Sequence, residues 1–117
     1  MKFKMEKTEI YYIINKSKNY LASSSWQSEF CQGLRGFSKN GALTFRTKEH
    51  AIKYISNMLV ELDKWINGDI TEQAKNWREG DDVPYFNTRK CFLDESYNQY
   101  LKNKKAIESL KIINYFY

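Results

Sequence analysis

The stretch ALTFRTKEHAIKYISNMLVELDKWI, residues 42–66, decides the fold, because a period-two pattern gives way to a helical one across Thr47. Leu43 and Phe45 alternate with Thr44 and Arg46, as in a half-buried strand. Thr47 offers a hydroxyl to cap a helix, and Glu49 places negative charge in the first turn, where the helix dipole favours it. Ile52, Ile55, Leu59, Leu62 and Ile66 then recur at intervals of three and four, which predicts one apolar helical face. A strand near 42–46 running into an amphipathic helix near 48–66 is the organising unit.

Toward the N-terminus, residues 8–15 read as a strand with Ile10, Tyr12 and Ile14 on one face and Tyr11 and Ile13 on the other. Apolar residues on both faces mark a central strand. Lys16-Ser17-Lys18-Asn19 is a polar turn, and Tyr20-Leu21-Ala22 returns as the second arm of a hairpin. Beyond it, Ser25 either caps a short helix carrying Trp26 and Phe30 or begins a loop, and Gly33, Gly36 and Gly41 punctuate the chain up to the next strand.

On the C-terminal side, Asn67-Gly68 signals a helix end, and Asp69 with Glu72 forms a capping-box variant opening a short helix with Ile70, Ala74 and Trp77 on one face. Gly80 stops that helix, Asp81-Asp82-Val83-Pro84 is a loop, and Tyr85 and Phe86 anchor it. Asp94 reads as the N-cap of a last helix with Tyr97, Leu101, Ile107 and Leu110 inward and Lys102, Lys104, Lys105 and Lys111 solvated. Residues 112–117, IINYFY, fit either a final strand or a docked helix end. The expected fold class is α+β. A small antiparallel sheet, made of the N-terminal hairpin plus the strand near 42–46, packs against the long helix and C-terminal helices in one domain, residues 1–117.

At 117 residues and 42% apolar composition, such a chain buries about two-thirds of its unfolded surface. Nine Tyr, seven Phe and three Trp leave several rings near the surface, which suits protein interfaces and base stacking equally. The net charge of +5 is unevenly spread. Residues 1–50 and 96–117 are basic, whereas residues 69–95 hold seven acidic side chains against four basic ones. Lysine richness also follows from an AT-rich genome, so charge by itself supports only non-specific attraction. Cys31 and Cys91 share no metal-ligand spacing and read as reduced, partly buried thiols. The lysine-interrupted N-terminus lacks the apolar run of a signal peptide, and residues 10–14 fall far short of a membrane span. The expectation is a cytoplasmic protein without membrane contact.

Reactive constellations are missing from the pattern. His50 is the lone histidine, and a catalytic role would require a nucleophile or carboxylate beside it in space. Asp81 and Asp82 are sequence neighbours pointing different ways, and the glycines form neither a dinucleotide fingerprint nor a P-loop. Ser23-Ser24-Ser25 lacks the context of a nucleophile elbow. No catalytic residue, metal ligand or cofactor is expected.

IYYIIN, residues 10–15, resembles the first-strand motif of the RNA-recognition motif family, and RGFSKNGALTFRTKEHAIKYI, residues 35–55, looks like that family's third strand entering its second helix. The resemblance covers fewer than half the residues. Asn40 and Ala42 stand where that family places stacking aromatics, and Phe45 matches the remaining aromatic position. In overall style, the aromatic hairpin, the junction of Phe45, Thr47, Glu49 and Ala51, and the Lys/Asn/Tyr-rich tail resemble small orphan bacteriophage proteins of the anti-defence type. That resemblance implies a stoichiometric inhibitor of a host protein or protein–nucleic acid complex, without a cofactor, in the host cytoplasm. Such an inhibitor would present Asp69, Glu72, Glu79, Asp81 and Asp82 to a basic channel, imitating phosphates. The alternative is a basic RNA- or DNA-binding protein using Lys16, Lys18, Arg35, Lys39 and Arg46, with Tyr11 or Tyr20 stacking on bases.

Overall fold

A computed structural model describes residues 8–27, 30–77 and 88–116. The centre of the fold is β1 (Glu9–Ile14), flanked on one side by β2 (Tyr20–Leu21) and on the other by β4 (Lys111–Phe116), with the short β3 (Phe37–Ser38) outside β2. Every pairing is antiparallel, in the order β3-β2-β1-β4. The hairpin forms where the polar turn predicts it. Lys18 takes the left-handed φ of 61°, its amide donates to the Asn15 carbonyl at 3.0 Å, and the Asn15 side chain accepts from the Asn19 amide at 2.9 Å.

Residues 111–116 form a strand. Six consecutive pairs, from Glu9 with Phe116 to Ile14 with Lys111, make β1–β4 the longest ladder of the sheet. The strand expected near 42–46 is reduced to one bridge, in which Tyr11 and Phe45 exchange backbone hydrogen bonds of 2.8 and 2.9 Å. Phe45 turns its ring onto Tyr54, with centroids 5.3 Å apart, so the segment serves the core and leaves the third strand to Phe37 and Ser38.

Thr47 caps α1 (Lys48–Lys64) by accepting from the His50 amide at 3.1 Å. The buried line on α1 is Ala51, Met58 and Leu62, with Tyr54, Ile55 and Leu59 packed beside it. Ile52, expected inward, is 48% exposed, because the face turned to the sheet lies one position back from it. The helix does not end at Asn67-Gly68. Gly68 keeps a negative φ, so no left-handed cap forms. The chain passes through a π turn (Trp65–Ile70) into α2 (Thr71–Lys75). The Thr71 hydroxyl donates to the Ile66 carbonyl at 3.2 Å, satisfying a group the widened turn frees. Asp69 lies inside that turn and caps nothing. Ile70 and Ala74 are buried against Phe92, and Trp77 stacks on Phe92 at 5.3 Å. That burial overrides the local stop signal.

The last helix, α3 (Arg89–Glu108), begins more than a turn before Asp94. Its cap is Thr88, which accepts from the Cys91 amide at 3.0 Å. Asp94, already inside the helix, pairs instead with Lys90 at 2.9 Å. The inward face is Phe92, Ser96, Asn103 and Ile107, whereas Tyr97 and Leu101 are 54% and 45% exposed. Asn103, not among the residues expected inward, is buried. Its amide donates to the Phe30 carbonyl at 2.8 Å, and its carbonyl accepts from Gln99 at 2.9 Å, so both polar atoms of the buried side chain have a partner. This bond fastens α3 to the two single 3-10 turns, Ser24–Gln27 and Phe30–Gln32, whose Trp26 and Phe30 are both buried.

α1, α3 and the two 3-10 turns pack on one face of the sheet, and α2 packs on α3 through a separate cluster. Ile13, Leu21, Phe37 and Ile112 point into the core with Trp26, Met58, Leu62 and Ile107. By strand alternation, Ile10, Tyr12, Ile14, Tyr20, Lys111, Ile113 and Tyr115 occupy the other face. Among the described residues no helix covers it. None of the described helices is long and apolar enough to cross a membrane.

Candidate nucleic-acid interface

The open face is built from tyrosines on three adjacent strands. Tyr12, at the centre, meets Tyr20 at 5.5 Å and Tyr115 at 5.4 Å, both edge to face. The phenols of Tyr20 and Tyr115 approach each other at 3.4 Å across it. Edge-to-face packing fixes these rings without chains of rotamers, which lowers the entropy lost when another surface docks on them. No carboxylate shares this face among the described residues; Lys111 stands at its hairpin end, opposite Ile14.

At that end the sheet, the turn and the last helix converge. One depression of about 360 Å³ is lined by Asn15, Lys16, Ser17, Leu34, Lys102 and Lys105 among others. A second, of about 440 Å³, shares Asn15, Lys16 and Ser109 with it and adds Lys18, Lys111 and Glu108. Five lysines from three separated segments therefore border a hollow in two parts, which meet at Asn15, Lys16 and Ser109, with Glu108 in the lining of the second. None of the five pairs with an acidic group among the described residues. Uncompensated positive charge over a partly apolar floor attracts a polyanion and leaves room for a non-polar portion of it.

No protein-family model matches the chain, and neither a curated protein nor a solved structure shows significant similarity to it.

Of the residues the sequence put forward for nucleic acid, Lys16, Lys18 and Tyr20 fall on this surface. Tyr11 does not. It alternates to the helix side, where a hydrogen bond to Glu9, then burial and the charges of Glu9 and Glu49, raise its phenol above the usual value. Arg46 lies at the opposite end of β1, beside Thr8, Glu9 and Ile10. Arg35 and Lys39 flank β3 and are exposed. Lys102, Lys105 and Lys111, read in the sequence as a solvated face, complete the cluster. Tyr12 and Tyr115 complete the aromatic patch.

Of the acidic group, Asp69 and Glu72 are exposed at the π turn and α2, while Glu79, Asp81 and Asp82, like Gly80, Pro84, Tyr85 and Phe86, lie outside the described residues. Asp69 and Glu72 adjoin the start of α3, through the contacts of Ile70 and Ala74 with Phe92. The lysine hollow adjoins its other end, about 25 Å away along the helix axis. The pair Asp69 and Glu72 and the lysine hollow thus lie toward opposite ends of α3, with Lys75, Arg89 and Lys90 also at the first end. The His50 imidazole is exposed at the start of α1 and bonds to no described residue. Cys31 and Cys91 are both exposed free thiols, not partly buried ones, because each sits on the outer side of its helical turn. No group of three metal-ligating side chains occurs among the described residues.

Proposed function

We propose that this is a non-catalytic binding protein whose partner is single-stranded nucleic acid, held by the lysine hollow and the tyrosine face beside it. The convergence of Lys16, Lys18, Lys102, Lys105 and Lys111 carries this reading. Phosphates meet the lysines, and bases meet the rings of Tyr20 and Tyr115 on a sheet face that carries no carboxylate among the described residues. Such a protein acts by stoichiometric occupation: a strand it covers is withheld from an enzyme that needs it. The experiment is fluorescence anisotropy with a labelled single-stranded oligonucleotide, titrated with salt. Binding at low salt that collapses as salt rises, and that the Lys102→Glu/Lys105→Glu variant abolishes, supports the reading. A flat titration at low salt ends it.

A second reading rests on the exposed pair Asp69 and Glu72, set apart from the lysine hollow by the length of α3. A host-complex inhibitor would place Asp69 and Glu72 in a basic channel of its target. Asp69→Lys/Glu72→Lys would then weaken a purified protein complex while leaving oligonucleotide binding intact.

A further inference from the structure

The outer side of α3 carries an apolar stripe that no described core cluster includes. Leu93, Tyr97 and Leu101, four residues apart, are 37%, 54% and 45% exposed. Successive members advance only about 40° around the axis, so they form one ridge beside the buried face of Phe92, Ser96, Asn103 and Ile107. The centre of the ridge is rigid. Tyr97 stacks on Tyr100 at 5.9 Å, and the Tyr100 hydroxyl is held by Asp63 of α1 at 2.7 Å. An exposed but immobilised tyrosine flanked by leucines has the character of an interface anchor.

The charges along the same ridge identify what covers it. Lys90 and Asp94 lie toward its start, and Lys104 and Glu108 toward its end. We propose that the ridge pairs antiparallel with the α3 of a second copy of this chain, about a twofold axis level with Gln99. In that register Tyr97 meets Leu101 of the other copy, Asp94 meets Lys104, and Lys90 meets Glu108, each contact occurring twice. Moving the register by four residues one way opposes Lys90 to Lys104. Moving it four the other way opposes Asp94 to Glu108. A parallel pair opposes every charge to itself. The four flanking charges are therefore complementary to their own reversal in one register, in which Leu93 lies against the aliphatic stem of Lys105, the condition for an isologous contact.

The exposed ion pairs select register and contribute little affinity, and the apolar anchors supply the attraction. A single helix pair buries less than the roughly 1,200 Å² of a standard interface, which makes the dimer reversible at micromolar concentrations.

Sedimentation equilibrium of the full chain tests this. The wild type should shift from 14.0 kDa toward twice that mass as concentration rises through the micromolar range. Leu101→Glu should weaken association at least about tenfold with the thermal midpoint retained, since the residue is outside the core. Asp94→Lys and Lys104→Asp should each weaken it, and the double variant, which restores opposite charge at both contacts, should recover it. A wild type that stays monomeric throughout overturns the proposal. So does association that ignores both single reversals, which would place the contact elsewhere, such as the outer edge of β4. Neither result depends on nucleic-acid binding.

Discussion

The Tyr100 hydroxyl donates to the Asp63 carboxylate at 2.7 Å and so ties α3 to α1. That hydrogen bond, followed by burial and the Asp63 charge, raises the phenol from 10.0 to about 12. The folded state thus keeps a proton that the unfolded state releases first, and unfolding becomes easier as pH climbs. The stabilisation is fully present below pH 10.0 and is lost as pH rises through about 12. Denaturant midpoints for the wild type should fall across that window more steeply than those of Tyr100→Phe. Identical slopes for the two proteins would show that the bond does not govern the alkaline limb.

Asn103 supplies the only described side-chain amide buried between α3 and the Phe30 turn. Replacing it with leucine keeps the volume but strands the Phe30 carbonyl in a dry site. The expected loss is about 1–3 kcal/mol in urea unfolding, the cost of an unsatisfied buried acceptor. A leucine variant as stable as the wild type would mean that water reaches the carbonyl.

Glycine is required at one place and dispensable at another. Gly36 has φ of +93°, and a Cβ there would lie 2.7 Å from the Ser23 carbonyl oxygen, while its own carbonyl accepts from both Ala22 and Ser23. Gly36→Ala should therefore cost more than about 1–2 kcal/mol, the backbone penalty alone. At Gly41 an added Cβ meets nothing within 4 Å, and φ is not left-handed. Gly41→Ala should be neutral or stabilise by about 0.4–1 kcal/mol. Thermal melts of the two variants, run side by side, should differ in sign or nearly so; equal losses would contradict the local geometry.

The local signals that held were those that tertiary contacts reinforced. Thr47 caps α1 by accepting from the His50 amide, and residues 9–14 form the central strand because both faces carry apolar groups. Signals failed where burial outweighed them. Asn67-Gly68 has the composition of a helix end, yet Trp65 and Ile70 pack against Phe30 and Phe92 and draw the helix onward. Asp94 and Thr88 are both good caps, and choosing between them requires knowing that Phe92, between the two, packs on Ile70 and Ala74. The lysine hollow was half legible. Lys16 and Lys18 stand out in a hairpin turn, but Lys102, Lys105 and Lys111 join them only because β4 pairs with β1 and brings the end of α3 beside that turn. A C-terminal strand was one of two readings of residues 112–117, and only that one produces the cluster.

The ends of β1 give the site an internal control. Lys16, Lys102 and Lys105 border the hollow at the hairpin end, while Arg46 stands with Thr8, Glu9 and Ile10 at the other. If phosphates occupy the hollow, each of Lys16→Ala, Lys102→Ala and Lys105→Ala removes one counterion-releasing contact. The logarithmic salt slope of single-strand binding should then drop by about 0.7 per lysine. Arg46→Ala should leave the slope unchanged, although it removes the same formal charge from the chain. The comparison separates a located site from a general attraction between a +5 protein and a polyanion. In the general case all four variants lower affinity alike, and the hollow has no privileged role.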